Sequence, residues 1–166
     1  MKIAWPAPLQ RIRVLIVFFM AALAASGLTA VPLQAELRVL DRLFGPGSLA
    51  APLWPALAFW VGRVNSGVQD GYGRYPFLAY GTDWLAFAHV LIAILFLGPL
   101  RDPLRNLWVI EFGMIACVLI LPWTLIFAPL RGIPFFWMLI DMSFGLIGIL
   151  PLWLVRREIL RLPQGR

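Results

Sequence analysis

Four long apolar runs alternate with shorter polar connections along this chain. The runs cover residues 14–33, 84–98, 107–127 and 133–155. Three of them reach the length of about 20 residues that a helix needs to cross a lipid bilayer, and the second, with 15 residues, is shorter. They show no alternation of apolar and polar positions, and they are too long for buried strands. The pattern therefore predicts an all-α integral membrane protein, in which residues 1–166 form a single four-helix membrane domain.

The first apolar run has two interpretations. Basic residues Lys2, Arg11 and Arg13 precede it, and residues 22–24 (ALA) have the small-residue spacing of a signal-peptide cleavage site. Apolar character continues past this site to Leu33, which favours a retained span. Both interpretations stay open from the sequence.

The connection between the first two runs, residues 34–82, is long and mixed in character. It contains two apolar stripes at helical spacing, which are Leu33, Leu37, Leu40 and Phe44, and then Leu57, Trp60, Val61, Val64 and Val68. Pro55 suits the first turn of the second helix. We expect two amphipathic helices that lie in the membrane surface with their apolar faces towards lipid. Packing against the outer end of the bundle is the alternative.

The composition agrees with a membrane protein, and in such a protein the positive charge indicates topology. The chain is 61% hydrophobic and 13% charged, whereas a soluble domain has about 45–50% apolar and about 25% charged residues. The formal net charge of +6 comes from one Lys and 13 Arg, which cluster at the ends of the apolar runs. Such residues set topology, so no nucleic acid partner is predicted.

The distribution of basic residues predicts the orientation, because cytoplasmic connections retain Lys and Arg. Nine lie on one side of the predicted membrane: Lys2, Arg11, Arg13, Arg101, Arg105, Arg156, Arg157, Arg161 and Arg166. Five lie on the other: Arg38, Arg42, Arg63, Arg74 and Arg131. This bias predicts that both termini are cytoplasmic and that residues 34–82 are periplasmic.

An ionisable side chain inside a span is a functional candidate, because it is expensive in lipid. His89 lies about 9 Å beyond Asp83 along the second span, and Asp141 lies about 10 Å beyond Pro134 along the fourth. At equal depth the histidine and Asp141 are expected to meet. They are candidates for a catalytic, proton-exchanging pair, in which the carboxylate orients the imidazole. A hydrogen-bonded structural contact between helices is the alternative.

Glu111 lies at the opposite side of the membrane, in the second turn of the third span. Arg101 and Arg105 in the preceding turn are its expected partners in a structural ion pair. A proton relay from His89 and Asp141 to Glu111 is the alternative, but residues 114–121 between them are apolar apart from one cysteine.

Polar and aromatic residues crowd the outer entrance to the second span. Asp83 is placed to cap the helix together with Thr82, and it is also a candidate ligand-binding residue with Tyr80 and Trp84. Aromatic residues at this depth also form the ordinary interfacial belt. Two outer arginines, Arg74 and Arg131, are candidates for binding a lipid phosphate or an acidic ligand, and snorkelling to the membrane surface is the alternative.

The chain offers few groups for metal or nucleophilic chemistry. A single histidine excludes a site with two His ligands from one subunit, and Cys117, the single cysteine, excludes an intramolecular disulfide. Ser143 is two positions from Asp141 and points elsewhere, so no catalytic triad is formed. No metal site is predicted, and no cofactor is identified.

Three segments resemble an uncharacterised family of small bacterial inner-membrane proteins with four spans. They are residues 75–89 (YPFLAYGTDWLAFAH), 108–117 (WVIEFGMIAC) and 131–137 (RGIPFFW), and the resemblance extends over residues 74–153. That family implies no activity. The architecture is also loosely similar to emopamil-binding-type bundles, in which His and acidic side chains line a membrane cavity for sterol-like ligands.

These observations lead to one principal hypothesis and two alternatives. We expect a multi-pass protein of the bacterial inner membrane with a polar pocket in its periplasmic half. This pocket would bind a hydrophobic or lipid-like molecule, and His89 would carry any acid–base chemistry. One alternative is a non-catalytic accessory subunit of a larger membrane complex or a homo-oligomer. The other is a proton or ion transporter.

Overall fold

The computed structural model describes residues 7–162, and every regular element in that range is helical. The helices are α1 (Ala7–Leu28), α2 (Leu33–Phe44), α3 (Pro55–Arg74), α4 (Ala79–Leu95), α5 (Leu97–Arg101), α6 (Leu107–Leu130) and α7 (Phe135–Leu160), with a 3₁₀ turn at Pro76–Leu78 before α4. Lys2 and Arg166, which contribute to the predicted orientation, lie outside the described residues.

Four stretches of the described range are long and apolar enough to cross a membrane. They are Pro8–Leu28, Pro76–Arg101, Leu107–Leu130 and Phe135–Leu160. At most 28% of the most apolar part of any of them is buried inside the protein, so most of their apolar side chains face outwards, as expected for helices in lipid. The prediction of an all-helical protein with four potential spans is confirmed. The predicted orientation and the interfacial position of α2 and α3 stay predictions.

The first helix ends earlier than its apolar run. α1 stops at Leu28, and the chain turns before α2 begins at Leu33. The Thr29 hydroxyl donates a hydrogen bond to the Ser26 carbonyl oxygen (2.7 Å) at this end. Pro32 has no backbone N–H, so it cannot extend the hydrogen-bond ladder of α1. Hydropathy misses this turn because the residues within it include Ala30 and Val31.

The second spanning helix begins earlier than its apolar run. α4 starts at Ala79, directly after the 3₁₀ turn, so Thr82 and Asp83 lie inside the helix. The Thr82 hydroxyl donates back to the Ala79 carbonyl oxygen (2.8 Å). The prediction that Thr82 and Asp83 cap this helix is therefore wrong, because threonine can hydrogen-bond the preceding turn as well as cap a helix.

One compact unit of the protein consists of Leu23–Leu91. Both amphipathic segments predicted in it are helices, and α2 and α3 are joined by polar contacts through Gln69. The Gln69 side chain accepts a hydrogen bond from Arg38 (3.0 Å) and donates one to the Gln34 carbonyl oxygen (2.8 Å). Leu37 of the first predicted stripe and Val61 of the second are buried.

The other unit contains the first part of α1, the end of α4, and helices α5, α6 and α7. Its core is formed by Ile12, Ile16, Phe96, Val109, Ile110, Cys117, Leu152, Val155 and Ile159. α6 and α7 form an antiparallel hairpin, with Gly132 in the left-handed conformation (φ +68°) at the turn. Hydrogen bonds from Ile133 to Ala128 and from Gly132 to Pro129, both 3.0 Å, complete this Schellman turn.

Glycines allow α6 and α7 to approach closely. A Cβ atom on Gly145 would collide with the backbone carbonyl of Cys117, and one on Gly148 would lie 3.2 Å from the Cys117 sulfur. A Cβ on Gly113 would meet Phe96 (2.8 Å) and Leu152 (2.9 Å). Close approach of this kind stabilises helix pairs in membranes, where packing replaces the hydrophobic effect between helices.

Candidate functional site

His89 lies where α4 contacts the end of α1. Its Nδ1 atom is 2.8 Å from the Leu85 carbonyl oxygen, one turn earlier in α4. A carbonyl oxygen can only accept, so Nδ1 carries a proton in this geometry. A Cβ atom on Gly27 would collide with the Cβ atom of His89. The α1 backbone therefore lies directly against this side chain.

A shallow groove runs along another face of α4, lined by Tyr80, Asp83, Trp84 and Phe87. It is open to the surroundings and has a volume of about 290 Å³. The Tyr80 and Trp84 rings pack edge to face at 5.9 Å between centroids, and Trp84 and Phe87 do so at 5.5 Å. Three of the residues predicted to bind a ligand, Asp83, Tyr80 and Trp84, thus share one surface.

His89 does not belong to this groove. Six residues separate it from Asp83, which places their side chains about 120° apart around a helix of 3.6 residues per turn. His89 shares its face with Thr82, whose hydroxyl lies 3.3 Å from that of Tyr72. Asp83 and the aromatic residues therefore line one groove, the histidine stands on a different face of α4, and the predicted ligand pocket stays a prediction.

Asp141 lies in α7, within the other compact unit. Its side chain is half-buried, and among the described residues of that unit its carboxylate forms no hydrogen bond or ion pair. The Ser143 hydroxyl donates to the Ile140 carbonyl oxygen (2.6 Å), so it is satisfied by its own helix. His89 and Asp141 belong to different units, and their pairing stays a prediction.

Glu111 forms an ion pair across the α6–α7 hairpin, with a partner that sequence reasoning missed. The Arg156 Nε atom donates to Glu111 Oε1 at 2.9 Å. Of the predicted partners, Arg105 instead contacts Asp102, at 3.5 Å between side chains, and Arg101 is exposed. The prediction that Arg101 and Arg105 pair with Glu111 is therefore incorrect. Comparing depths along antiparallel helices would have identified Arg156.

The two outer arginines predicted to bind a phosphate or an acidic ligand differ in their surroundings. Arg74 Nε donates to Asp70 Oδ1 at 2.7 Å, one turn earlier in α3, so its charge is already paired. Arg131 is exposed in the turn between α6 and α7. It belongs to the unit that does not contain the groove.

The described residues contain no group of three or more His, Cys, Asp or Glu side chains that could hold a metal ion. Cys117 is buried in the seam between α6 and α7, beside Gly145 and Gly148. The groove of α4 is therefore the best-defined arrangement of polar and aromatic side chains among the predicted site residues.

Comparison with known proteins adds no relative from which a role could be transferred. No protein-family model matches the chain, and no curated protein or solved structure shows significant similarity to it. The function must therefore be inferred from the residues themselves.

Proposed function

We propose that this multi-pass membrane protein binds a lipid-like molecule in the groove of α4, and that the bound end of this molecule carries an ammonium group. The observation that carries the proposal is that Asp83, an exposed acidic residue, lines the same groove as Tyr80, Trp84 and Phe87.

The chemistry of the groove matches a cationic headgroup. A carboxylate attracts an ammonium ion by charge, and aromatic faces attract it through their quadrupoles, most strongly in the case of Trp. Tyr80, Trp84 and Phe87 are each at least half exposed, so their ring faces are accessible. A neutral or anionic headgroup would gain no such attraction and would provide no positive charge to pair with the Asp83 carboxylate.

The position of the groove along α4 supports an amphiphilic ligand. It lies near one end of the apolar stretch Pro76–Arg101, and Tyr and Trp prefer this level of a bilayer, where headgroups meet the hydrocarbon. Trp84, Phe87 and Leu91 follow one another at spacings of three and four residues, and all three are exposed. An acyl chain can therefore extend along the same face of the helix.

Acid–base chemistry at His89 is a separate part of the hypothesis. In its neutral form, a histidine whose Nδ1 donates to a carbonyl oxygen presents Nε2 as an acceptor, and a general base requires such an acceptor. Its location on a different face of α4 means that ligand binding in the groove does not depend on it. We place the protein in the bacterial inner membrane with both termini inside, on the basis of the basic residues.

Lipid retention measured by native mass spectrometry tests the groove. The purified protein is exchanged into mixtures of phosphatidylethanolamine and a neutral glucosyl diacylglycerol with identical acyl chains, and the bound species are counted. The wild-type protein should retain the ethanolamine lipid preferentially. Asp83→Asn removes the charge and Trp84→Leu removes the strongest ring, so each should lower this preference at least threefold.

Trp123→Leu is a matched control. Trp123 is an exposed tryptophan on α6 that stacks on Phe127 at 4.3 Å between centroids, and its local sequence has no carboxylate. This variant should retain the wild-type preference. The proposal is overturned if the wild-type protein does not discriminate between the two lipids, or if Trp123→Leu lowers the preference as much as Trp84→Leu.

A further inference from the structure

One end of the α6–α7 hairpin is rich in arginine. It combines Arg11 and Arg13 of α1, Arg101 and Arg105 around the α5–α6 turn, and Arg156, Arg157 and Arg161 of α7, with the acidic residues Asp102, Glu111 and Glu158. We call this the arginine-rich end. Its elements meet because Ile12, Ile110, Val155 and Ile159 belong to one buried cluster, and because Glu111 bonds to Arg156.

All three acidic side chains at the arginine-rich end already have an arginine partner. Besides the Glu111 pair, Arg105 lies 3.5 Å from Asp102, and Arg161 lies 3.6 Å from Glu158. Seven arginines face three acids, so the surface keeps a positive excess. Arg11 and Arg101 are exposed and form no ion pair with a described residue.

A rigid turn presents Arg101. The Asn106 side chain donates hydrogen bonds to the carbonyl oxygens of Gly98 (3.2 Å) and Asp102 (2.8 Å). The Asp102 carboxylate accepts the backbone N–H of Arg105 at 3.1 Å. These bonds satisfy backbone groups that the end of α5 would otherwise leave unpaired. The conformation of the turn is therefore fixed before any partner binds.

The arginine-rich end lies where potential spans terminate. α6 begins at Leu107 and α7 ends at Leu160, and both belong to apolar stretches that could cross a membrane. The Arg157 guanidinium lies 5.6 Å from the centroid of the Trp153 ring, and tryptophan favours the interface between hydrocarbon and headgroups. The exposed guanidinium groups therefore lie at the level of lipid phosphates.

We propose that the arginine-rich end binds the phosphodiester groups of anionic membrane lipids, with Arg101 and Arg157 as principal contacts. Guanidinium groups match phosphate oxygens in a bidentate geometry, and clustered basic residues beside a span attract anionic leaflets. Arg101 is exposed and has no ion-pair partner among the described residues, so binding a lipid phosphate would give its charge a partner. This surface belongs to a different unit from the α4 groove, so either proposal can fail alone.

Thermal unfolding in nanodiscs tests this surface. The wild-type protein is compared in pure phosphatidylcholine and in phosphatidylcholine containing one fifth phosphatidylglycerol, and the anionic lipid should raise the midpoint temperature. The double substitution Arg101→Gln and Arg157→Gln should reduce that rise by at least half. Raising the salt concentration should reduce the rise in the wild-type protein, because salt screens exposed charges.

Arg63→Gln is the matched control, because Arg63 is an exposed arginine on α3, outside the arginine-rich end. This variant should keep the full rise in midpoint temperature. If the double variant does not fold, Arg11→Gln provides the measurement, and its rise should also be smaller than that of Arg63→Gln.

Soluble glycerol phosphate, added to the wild-type protein in pure phosphatidylcholine, distinguishes a lipid from a free phosphate ester. It should produce no comparable rise. The proposal is overturned if glycerol phosphate stabilises the protein as much as the anionic lipid does, if Arg63→Gln loses as much of the rise as the double variant, or if the double variant keeps the full rise.

Discussion

Arg156 of α7 donates a hydrogen bond from Nε to Oε1 of Glu111 on α6, at 2.9 Å, across 45 residues of sequence. Both side chains are about two-fifths exposed, so the pair lies at the edge of the hairpin rather than in its core. It joins the first turns of α6 to the last turns of α7. The hairpin of α6 and α7 therefore has the Glu111–Arg156 ion pair near one end and the turn at Gly132 at the other, and together they define the register of the two helices.

Glu111→Gln should lower the free energy of unfolding by about 0.5–1 kcal/mol, the range of a partly exposed ion pair. A double-mutant cycle with Arg156→Gln, measured by denaturant titration in detergent, should give a coupling energy of similar size. The same cycle with Arg105→Gln should give a coupling near zero, because Arg105 contacts Asp102 instead. A larger coupling with Arg105 than with Arg156 would contradict the observed pairing.

The contrast between these arginines shows what sequence reasoning could supply. Proximity in the chain favours Arg101 and Arg105 as partners, because both closely precede Glu111. The true partner follows from the antiparallel register of α6 and α7, in which position 111 faces position 156. That register could have been counted from the turn at Gly132. Proximity in the sequence was the weaker guide, because Glu111 contacts Arg156 on the neighbouring helix, whereas Arg105 contacts Asp102.

The potential spans could be predicted because lipid imposes a single requirement, a long apolar helix. The groove of α4 could be predicted in part, since Tyr80, Asp83 and Trp84 are spaced three and four residues apart and must share a face. Helical geometry also separates His89 from Asp83, which depth alone did not reveal. The start of α4 could not be predicted from Thr82, because its hydroxyl can bond either to a following N–H or to a preceding carbonyl.

Gly27→Ala should destabilise the unit formed by Leu23–Leu91, because its Cβ would collide with the Cβ of His89. Overpacking of this kind typically reduces stability by about 1–3 kcal/mol, and thermal unfolding in detergent measures it. Gly81→Ala is the control, since no atom lies within 4 Å of its new Cβ. It should be neutral or stabilising, because alanine favours a helix.

A second substitution identifies the source of the Gly27→Ala effect. His89→Ala removes the Cγ atom, which would lie 2.7 Å from the new methyl group, but keeps the closer Cβ atom, so it should relieve only a small part of the collision. His89→Gly also removes the Cβ atom of position 89 and should recover more of the lost stability in the double variant. Equal recovery by both substitutions would place the clash in the imidazole ring rather than at the Cβ contact.

Gly145→Ala should destabilise the α6–α7 hairpin more than Gly148→Ala. The new Cβ at position 145 would collide with the backbone carbonyl of Cys117, which cannot move without shifting α6, whereas the new Cβ at position 148 would lie 3.2 Å from the sulfur. Packed interiors tolerate small side-chain shifts better than backbone collisions. We expect losses of about 2–3 kcal/mol for Gly145→Ala and below about 1 kcal/mol for Gly148→Ala.

Cys117→Ala distinguishes the two collisions at the glycine seam. Removing the sulfur should relieve Gly148→Ala and leave Gly145→Ala unchanged, since the carbonyl remains. Unfolding midpoints of the three single and two double variants measure this difference. Relief of Gly145→Ala by Cys117→Ala would show that the carbonyl is not the obstacle.

The orientation of the chain predicts which connections a membrane-impermeant maleimide can reach in bacterial spheroplasts. In a Cys117→Ala background, Leu49→Cys and Arg131→Cys should be labelled from outside, and Arg105→Cys only after permeabilisation. Leu49 is 98% exposed between α2 and α3, and Arg105 and Arg131 flank the potential span α6. The excess of basic residues around Arg105 is the reason to expect its side in the cytoplasm. The inverse pattern would reverse the orientation, and labelling of positions 105 and 131 from the same side would mean that α6 does not cross the membrane.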